Sequence, residues 1–335
     1  MKSRTLYIII LIIAAALLII AAISLASSER GAEQGGTGGG SGSQQQSGTG
    51  NGGTQSDDNQ QGGDNSAPPP IDGGLADDAA NPADDVPVEV FSRAAVGWGS
   101  GTNRNDKNQT VDSVNAQAKY EELGAYFIFP DDAGKIYLTF DLGYENGYTP
   151  VILDSLKAAG VKATFFITSD YVNEAPDIVR RIIDEGHTLA NHTDRHPSMP
   201  GITDARVRDE IMTLHERIKD EFGYTMTLFR FPMGEYSEHT LDLVNKLGYK
   251  SIFWSFAYKD WLTDSQPDPA SSLTKLTDSL HDGGIYLLHA VSSTNAEIMD
   301  DFLAEAKAKG FSFELVDVRL GLVKPAPNAP VETII

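Results

Sequence analysis

Acidic, basic and imidazole side chains stand at or near the ends of several apolar runs in this sequence. TFDLGYENGYT closes one run with Asp141, HTDRH follows another and places His192 and His196 four residues apart, and LLHA ends a third run with His289. Two imidazoles at that spacing can face one way and share a metal ion, although Pro197 favours a tight loop there over a regular helix. A metal ion in a cleft acidifies water and polarises a carbonyl oxygen. Both effects promote hydrolysis, so these residues indicate a hydrolase.

The same set of residues offers a base and an acid for the hydrolysis of an amide. One group must take a proton from water and another must protonate the departing nitrogen, and Asp141 and His289 are the candidates. Arg230 can pair with Asp141 and hold its carboxylate ionised. Asp260 can accept a hydrogen bond from His289 and favour its cationic form. Two structural alternatives stay open: Arg230 and Asp260 can form a salt bridge that closes a barrel, and Asp141 can be a strand-end cap.

Seven short apolar runs, separated by segments of helix length, must position these groups. We predict strands at residues 135–141, 163–168, 188–193, 227–232, 250–257, 284–290 and 311–318. Five of the intervening helical segments end in glycine, as helix C-termini often do. Alternating strands and helices, with strands apolar on both faces, predict a parallel α/β sheet, either a barrel or an open doubly wound sheet. In both, functional groups gather at the carboxyl ends of the strands, where five of the seven runs place an ionisable residue.

The chain before these runs lacks the alternation of strand-like and helix-like segments. Residues 6–26 are apolar for long enough to cross a bilayer, and Lys2 and Arg4 favour an orientation with the N-terminus inside the cell. A signal peptide cleaved near Ala26 is the alternative. Residues 27–95, which carry 11 acids and 2 bases, predict a disordered linker that spans roughly 45 Å. We therefore expect a single-pass protein of the cell membrane whose folded domain lies outside the cytoplasm, on the cell-wall side.

The composition argues against two classes of function. A formal net charge of −21 is unfavourable for nucleic-acid binding, because phosphate contacts need clustered lysine and arginine. No glycine-rich phosphate loop follows the first strand, which argues against a nucleotide enzyme. The sequence has no cysteine, so the fold depends on its apolar core instead of disulfides.

Six stretches of this sequence together resemble the polysaccharide deacetylase family, which is also called the NodB homology domain or carbohydrate esterase family 4. The matching stretches, in the family's order across residues 135–319, are TFDLG, ATFFIT, GHTLANHTDRHP, RFPMG, KDW and LLH. The sequence is also similar to the delta-lactam branch of the family, the peptidoglycan N-acetylmuramic acid deacetylases of spore formers, through VGWGSGTNRNDKN, GYENGYT, FWSFAYKDW and YLLHAVSSTNAE. The resemblance implies a distorted (β/α)7-type barrel and metal-assisted removal of acetate from an N-acetyl sugar.

The resemblance also implies roles for individual residues. Asp141 matches the catalytic base and His289 the acid, and Arg230 and Asp260 match the residues that support them. The residues implied to bind substrate are Met233, through its backbone amide in an oxyanion hole, Trp261 and Leu287, as walls of an acetate pocket, and Tyr144 and Glu145. On the residue type alone, Trp261 can either stack on a sugar ring or shield the core.

The implied metal site departs from the family pattern at one position. His192 and His196 match two metal ligands, but the second aspartate that most of the family has after the base is replaced by Leu142. The delta-lactam branch often has asparagine there. Leucine has no lone pair to offer, so we expect weak binding of zinc or of another divalent ion, unless Asp141 or Glu145 completes the site.

We expect a monomeric peptidoglycan deacetylase that acts on N-acetylmuramic acid, on the route to muramic delta-lactam of the spore cortex. Its partners would be glycan strands and, through residues 6–26, the membrane. Deacetylation of N-acetylglucosamine in peptidoglycan or chitin-type oligomers is one alternative, and an inactive glycan-binding barrel is the other. The predicted organisation is an anchor or signal at 1–26, a linker at 27–95, an N-terminal extension at 96–134, the deacetylase domain at 135–320 and a tail at 321–335.

Overall fold

A curled sheet of parallel strands organises residues 90–323, the part of the chain that the computed structural model describes. The strands are β1 (Val96–Gly97), β2 (Ala125–Tyr126), β3 (Lys135–Leu142), β4 (Thr164–Ile167), β5 (Thr188–Asn191), β6 (Leu228–Phe229), β7 (Glu235–Tyr236), β8 (Lys250–Ile252), β9 (Phe256–Ala257), β10 (Gly284–His289) and β11 (Ser312–Phe313). The helices are α1 (Val111–Tyr120), α2 (Thr149–Ala159), α3 (Ser169–Glu174), α4 (Pro176–Asp184), α5 (Asp204–Phe222), α6 (Glu238–Lys246), α7 (Pro269–Asp278), α8 (Ser293–Ala308) and α9 (Val316–Arg319).

The sheet is built around β3. Its strand order is β2, β8, β6, β5, β4, β3, β10 and β9, and β11 pairs with the start of β3. All of these pairings are parallel. Every residue of β3 after Lys135 is buried: Leu138 and Phe140 pack in the larger apolar cluster, which includes the helices, and Tyr137 packs in a smaller cluster formed mainly by neighbouring strands. The predicted α/β class and the parallel pairing are therefore confirmed.

The sheet curls without closing into a barrel. Its two edge strands, β2 and β9, have two residues each and do not pair with one another. Only residues 253–255 separate β8, next to one edge, from β9 at the other edge, so the two edges lie near each other. The result is a curled parallel half-barrel, which agrees in part with the expected distorted (β/α)7-type barrel.

Two of the predicted strands differ from the structure. The run 250–257 forms two strands in different parts of the sheet, β8 and β9, instead of one. The run 311–318 is a strand only at β11 and then turns into α9. Val316 is fully buried and Leu320 packs beside it, four residues further on, which is helical and not strand spacing.

Residues before β3 are part of the same fold. β1 pairs antiparallel with β7, and β2 pairs with β8 in the main sheet. Trp98 follows β1; its backbone N–H donates to the carbonyl of Gly234 over 2.9 Å, and its Nε1 donates to the carbonyl of Trp254 over 2.9 Å. These contacts fix the Trp98 ring at the carboxyl edge of the sheet.

None of the helices between residues 90 and 323 combines the length and the apolar character needed to span a bilayer. The predicted membrane segment, residues 6–26, lies outside the described residues, as does the predicted linker up to residue 89. The tail from residue 324 onward lies outside them as well.

Candidate active site

Asp141 and His289 end two neighbouring strands at the same level of the sheet. β3 and β10 pair in parallel, and the register sets Asp141 directly opposite His289. Because the carboxyl ends of parallel strands meet at one edge, both side chains reach the same cavity, and both line it. Strand register therefore brings together two residues that lie 148 positions apart in the sequence.

A fully buried arginine holds the carboxylate of Asp141. Nη1 of Arg230 donates to Oδ1 of Asp141 over 2.7 Å, and its other nitrogens donate to two backbone carbonyl oxygens. Burial by itself raises the pKa of Asp141, but the charge of Arg230, together with that of His289, outweighs burial and lowers it. Asp141 is therefore ionised at neutral pH and can accept a proton.

A second carboxylate orients the ring of His289. Oδ1 of Asp260 accepts a hydrogen bond from Nδ1 of His289 over 2.7 Å, and Oδ2 accepts one from the His289 backbone N–H over 2.8 Å. Nδ2 of Asn295 also donates to Oδ2 of Asp260, over 2.7 Å, and Asn295 accepts from the hydroxyl of Tyr258. Burial lowers the pKa of His289, but the hydrogen bond and charge of Asp260 outweigh burial and raise it. The pairing leaves Nε2 of His289 for the cavity.

Arg230 and Asp260 thus bind different partners. Arg230 pairs with Asp141, and Asp260 pairs with His289. The alternative that they form a salt bridge with each other, which closes a barrel, is wrong.

His192 and His196 lie on a tight loop after β5. Nδ1 of His192 lies 2.9 Å from the carbonyl oxygen of Arg230; a carbonyl only accepts, so Nδ1 carries the proton and Nε2 does not. The rings of His192 and His196 are 4.8 Å apart between centroids. Thr193 and His196 have left-handed backbones, with φ of 76° and 57°, and Oγ1 of Thr193 accepts from the His196 N–H over 2.8 Å. The tight loop expected from Pro197 is confirmed.

The imidazoles of His192 and His196 are suitable metal ligands, but two protein ligands are fewer than a catalytic metal site usually has. Burial lowers the pKa of His192 to about 4 and also lowers that of His196, so both are neutral and can donate a lone pair. Nε2 of His192 lies 3.5 Å from Oδ2 of Asp141, so a neutral imidazole and a carboxylate would both be available to a cation at this place. Within residues 90–323, no group of three or more ligating side chains is arranged to hold a metal ion. A catalytic zinc site usually has three protein ligands.

The cavity at this edge has a volume of about 570 Å³. Its polar floor consists of Asp141, His192, His196 and His289. Its walls are largely aromatic, and the aromatic residues that line it are Trp98, Phe231, Trp254, Tyr258 and Trp261. An apolar cleft with a few convergent polar groups is typical of a small-molecule site, and aromatic walls suit the apolar faces of sugar rings.

Comparison with known proteins identifies the family. The model of the family described as polysaccharide deacetylase matches residues 130–252. Peptidoglycan-N-acetylmuramic acid deacetylase PdaA of Bacillus subtilis is 36% identical over 232 residues, which make up 69% of this chain and 88% of that protein. The chain belongs to the polysaccharide deacetylase family. It is therefore an enzyme of the deacetylase type, and deacetylases of this family generally depend on a metal ion.

The solved structure of PdaA and one further relative of this polysaccharide deacetylase agree with that identification. The structure of Bacillus subtilis PdaA, described as a family 4 carbohydrate esterase, matches with a TM-score of 0.65 and 33% identity, covering 69% of this chain and 99% of that chain. Peptidoglycan-N-acetylglucosamine deacetylase PgdA of Listeria monocytogenes is 31% identical over 187 residues, 56% of this chain and 39% of that protein.

The expected substrate-binding residues of the deacetylase divide into two groups. Three of them line the cavity: Met233, Trp261 and Leu287. Tyr144 and Glu145 lie on the loop after β3 and are not part of the lining. The carboxylate of Glu145 accepts from the N–H of Gly147 over 2.6 Å and from the hydroxyl of Tyr171 over 2.9 Å. These hydrogen bonds hold the carboxylate of Glu145 within the loop, so it is not available as a ligand for the metal site.

Several residues at the site were not predicted individually. Trp98 and Trp254 line the cavity, Lys259 lies on its wall, and Asn295 orients Asp260. Three of the stretches that carry the family resemblance, VGWG, FWSFAYKDW and SSTNAE, contain these four residues. Their roles depend on contacts between distant segments, which residue spacing does not reveal.

Proposed function

We propose that this deacetylase hydrolyses the acetamido group of an amino sugar in peptidoglycan, namely N-acetylmuramic acid from which the stem peptide has been removed. The product would enter the formation of muramic delta-lactam. The observation that carries the proposal is that Asp141 and His289 lie opposite each other on β3 and β10 and both line a cavity with aromatic walls. The substrate is inferred from the similarity to PdaA, whose name states the same sugar.

The reaction would proceed in two proton-transfer steps. Asp141, ionised beside Arg230, takes a proton from water as the oxygen attacks the acetyl carbon. The resulting oxyanion is then stabilised, with the backbone amide of Met233 as a proposed donor. Nε2 of His289, which Asp260 keeps protonated, gives its proton to the nitrogen as the C–N bond breaks. Acetate and the free amine of the sugar are the products.

Trp261 and Leu287 are proposed to enclose the acetyl group. Both line the cavity, and the Trp261 ring lies 5.5 Å from the His289 ring between centroids. An apolar wall beside the acid excludes water and accommodates the acetyl methyl. Leu287 lies two residues before His289 on β10, so it faces the same side of the sheet.

His192 and His196 are the residues proposed to hold a divalent ion, with zinc as the first candidate. Such an ion, when bound, polarises the carbonyl oxygen and acidifies water. Asp141 faces Nε2 of His192 and would be the nearest carboxylate. Leu142 is fully buried in the apolar core and supplies no ligand.

Deacetylation of N-acetylglucosamine is the second candidate, because the similarity to PgdA of Listeria monocytogenes extends over 187 residues. Acetate release by the full-length protein distinguishes the two. Muropeptides with and without stem peptides, and chitin oligomers, are compared with and without added zinc, manganese or cobalt. Release from peptide-free muramic units supports the proposal, and release from chitin oligomers alone contradicts it. Glycan binding without release under any ion would favour the inactive barrel.

The location of the enzyme is also a proposal. Residues 6–26 would anchor the protein in the cell membrane, and residues 27–95 would let a monomeric domain reach glycan strands in the wall. Fractionation of cells, with protease added to intact protoplasts, tests this. Digestion of the domain in protoplasts, with the protein recovered in the membrane fraction, is the expected result.

A further inference from the structure

An unpaired cation lies in the wall of the active-site cavity. Lys259 is exposed, and it is the one lysine or arginine among the residues that line the cavity. Within residues 90–323 its ammonium group has no hydrogen-bond or ion-pair partner. The other strong charges at the site are compensated in pairs, Asp141 by Arg230 and Asp260 by His289. Lys259 is therefore the uncompensated charge that the cavity offers to a substrate.

The chain places Lys259 close to the reacting groups. It directly follows Tyr258, which lines the cavity, and directly precedes Asp260, which is fully buried against His289. Trp261, on the other side of Asp260, is 46% exposed and belongs to the same wall. A flexible lysine side chain at this position can reach substituents next to the acetamido group that Asp141 and His289 would attack.

The two candidate sugars differ in a group that such a cation would recognise. N-acetylmuramic acid carries a lactyl ether on the carbon next to the one that bears the acetamido group, and N-acetylglucosamine has a hydroxyl there. The lactyl group ends in a carboxylate when the stem peptide is absent. When the peptide is attached, that carboxylate is an amide and carries no charge.

We propose that Lys259 binds the free lactyl carboxylate of peptide-free muramic acid and so selects this sugar over its peptide-bearing and N-acetylglucosamine counterparts. The inference rests on the proposed function, because it requires a muramic acid substrate. A charge-assisted hydrogen bond at a partly solvated site changes affinity by about 5- to 10-fold. High salt weakens the effect, because it screens exposed charges.

The test uses two forms of one glycan. Peptide-free muramic acid oligomers are compared with the same oligomers whose lactyl carboxylates have been converted to primary amides. Acetate release by the full-length protein gives kcat and KM for both, and the ratio of kcat/KM for acid over amide is the selectivity. Lys259→Gln removes the charge at similar length, and Lys259→Arg keeps the charge. Lys107→Gln is the matched control, because Lys107 is also exposed but does not line the cavity.

The expected result is a loss of selectivity by about 5- to 10-fold in Lys259→Gln, mainly through KM for the acid. Lys259→Arg and Lys107→Gln should retain the selectivity of the unaltered enzyme, and high salt should reduce it. If the enzyme deacetylates the acid form and Lys259→Gln has unchanged selectivity, the inference is wrong and the proposed function stands. If the unaltered enzyme releases acetate only from N-acetylglucosamine, the proposed substrate is wrong and the inference fails with it.

Discussion

Nδ1 of His289 lies 2.7 Å from Oδ1 of Asp260, a carboxylate that is completely buried. The buried charge raises the pKa of His289 although burial alone would lower it. His289 therefore keeps its proton to a higher pH than an ordinary histidine and presents Nε2 to the cavity. Since a general acid works only while protonated, the alkaline limit of activity should depend on Asp260.

Asp260→Asn is expected to shift the alkaline limb of the kcat profile downward by about 1–2 pH units, because the imidazolium loses its counter-charge. It should also lower kcat by about 10²- to 10⁴-fold, since an amide group also disturbs the hydrogen bonds that fix the ring. Acetate release from pH 5 to 10 measures both effects. Asp264→Asn, at an exposed acid four residues along, is the control. An unchanged alkaline limb in Asp260→Asn would show that His289 is not the acid.

Asn295 is expected to act as a positioning residue for that pair. Asn295→Ala removes the hydrogen bond to Oδ2 of Asp260 and frees this carboxylate to rotate away from His289. We expect kcat to fall by about 10-fold and the alkaline limb to move in the same direction as in Asp260→Asn, but less far. Tyr258→Phe, which removes the hydroxyl that donates to Asn295, should have a smaller effect of the same sign. Lower thermal stability with no movement of the limb would indicate a purely structural role.

The core strands, and the meeting of Asp141 and His289 at one edge of the sheet, were predictable from local sequence for one physical reason. Strands buried on both faces need continuous apolar runs, and 135–141 and 284–290 match β3 and β10 within one residue at each end. Parallel pairing then sends their final residues to one edge, so Asp141 and His289 meet. Neither step required knowledge of distant contacts.

The remaining features depend on tertiary contacts. β1 and β2 have two residues each, too few for a periodic signal, and they exist because β7 and β8 offer them partners. The break between β8 and β9 falls inside one apolar run, because the chain there crosses between the two edges of the half-barrel. Glu145 had the right chemistry for a metal ligand, but the hydroxyl of Tyr171 and a backbone N–H engage its carboxylate.

Arg230→Gln is expected to raise the pKa of Asp141 and to move the acidic limb of the kcat/KM profile to higher pH. The base must be ionised, and Arg230 is the main charge that keeps its pKa low. Stability should fall by about 3–5 kcal/mol, because a buried carboxylate loses its partner. The pair stabilises the fold above the usual pKa of aspartate, about 4, and the contribution is lost as pH falls through the lowered pKa of Asp141.

Denaturant unfolding at several pH values, together with the pH profile of acetate release, measures these effects of Arg230→Gln. Arg93→Gln is the matched control: it also breaks an arginine–aspartate pair, with Asp204, but both partners are exposed. Its stability and its pH profile should be close to those of the unaltered protein. Equal loss of stability in the two variants would contradict the assignment of Arg230 as the buried counter-ion of Asp141.

Leu142→Asp is expected to tighten zinc binding by about 10-fold or more, because it supplies the carboxylate that the family resemblance implies after the base. His192 and His196 are one protein ligand short of a usual catalytic zinc site. The same change should lower the stability of the zinc-free protein by several kcal/mol, about the cost of burying a charge in the apolar core that holds Leu142. Zinc should therefore restore thermal stability in Leu142→Asp far more than in Leu142→Asn, which loses the same packing without supplying a charge. Competition against a zinc indicator measures affinity, and His196→Ala should weaken binding in every background. Equal zinc affinity in Leu142→Asp and the unaltered protein would show that the missing ligand does not belong at position 142.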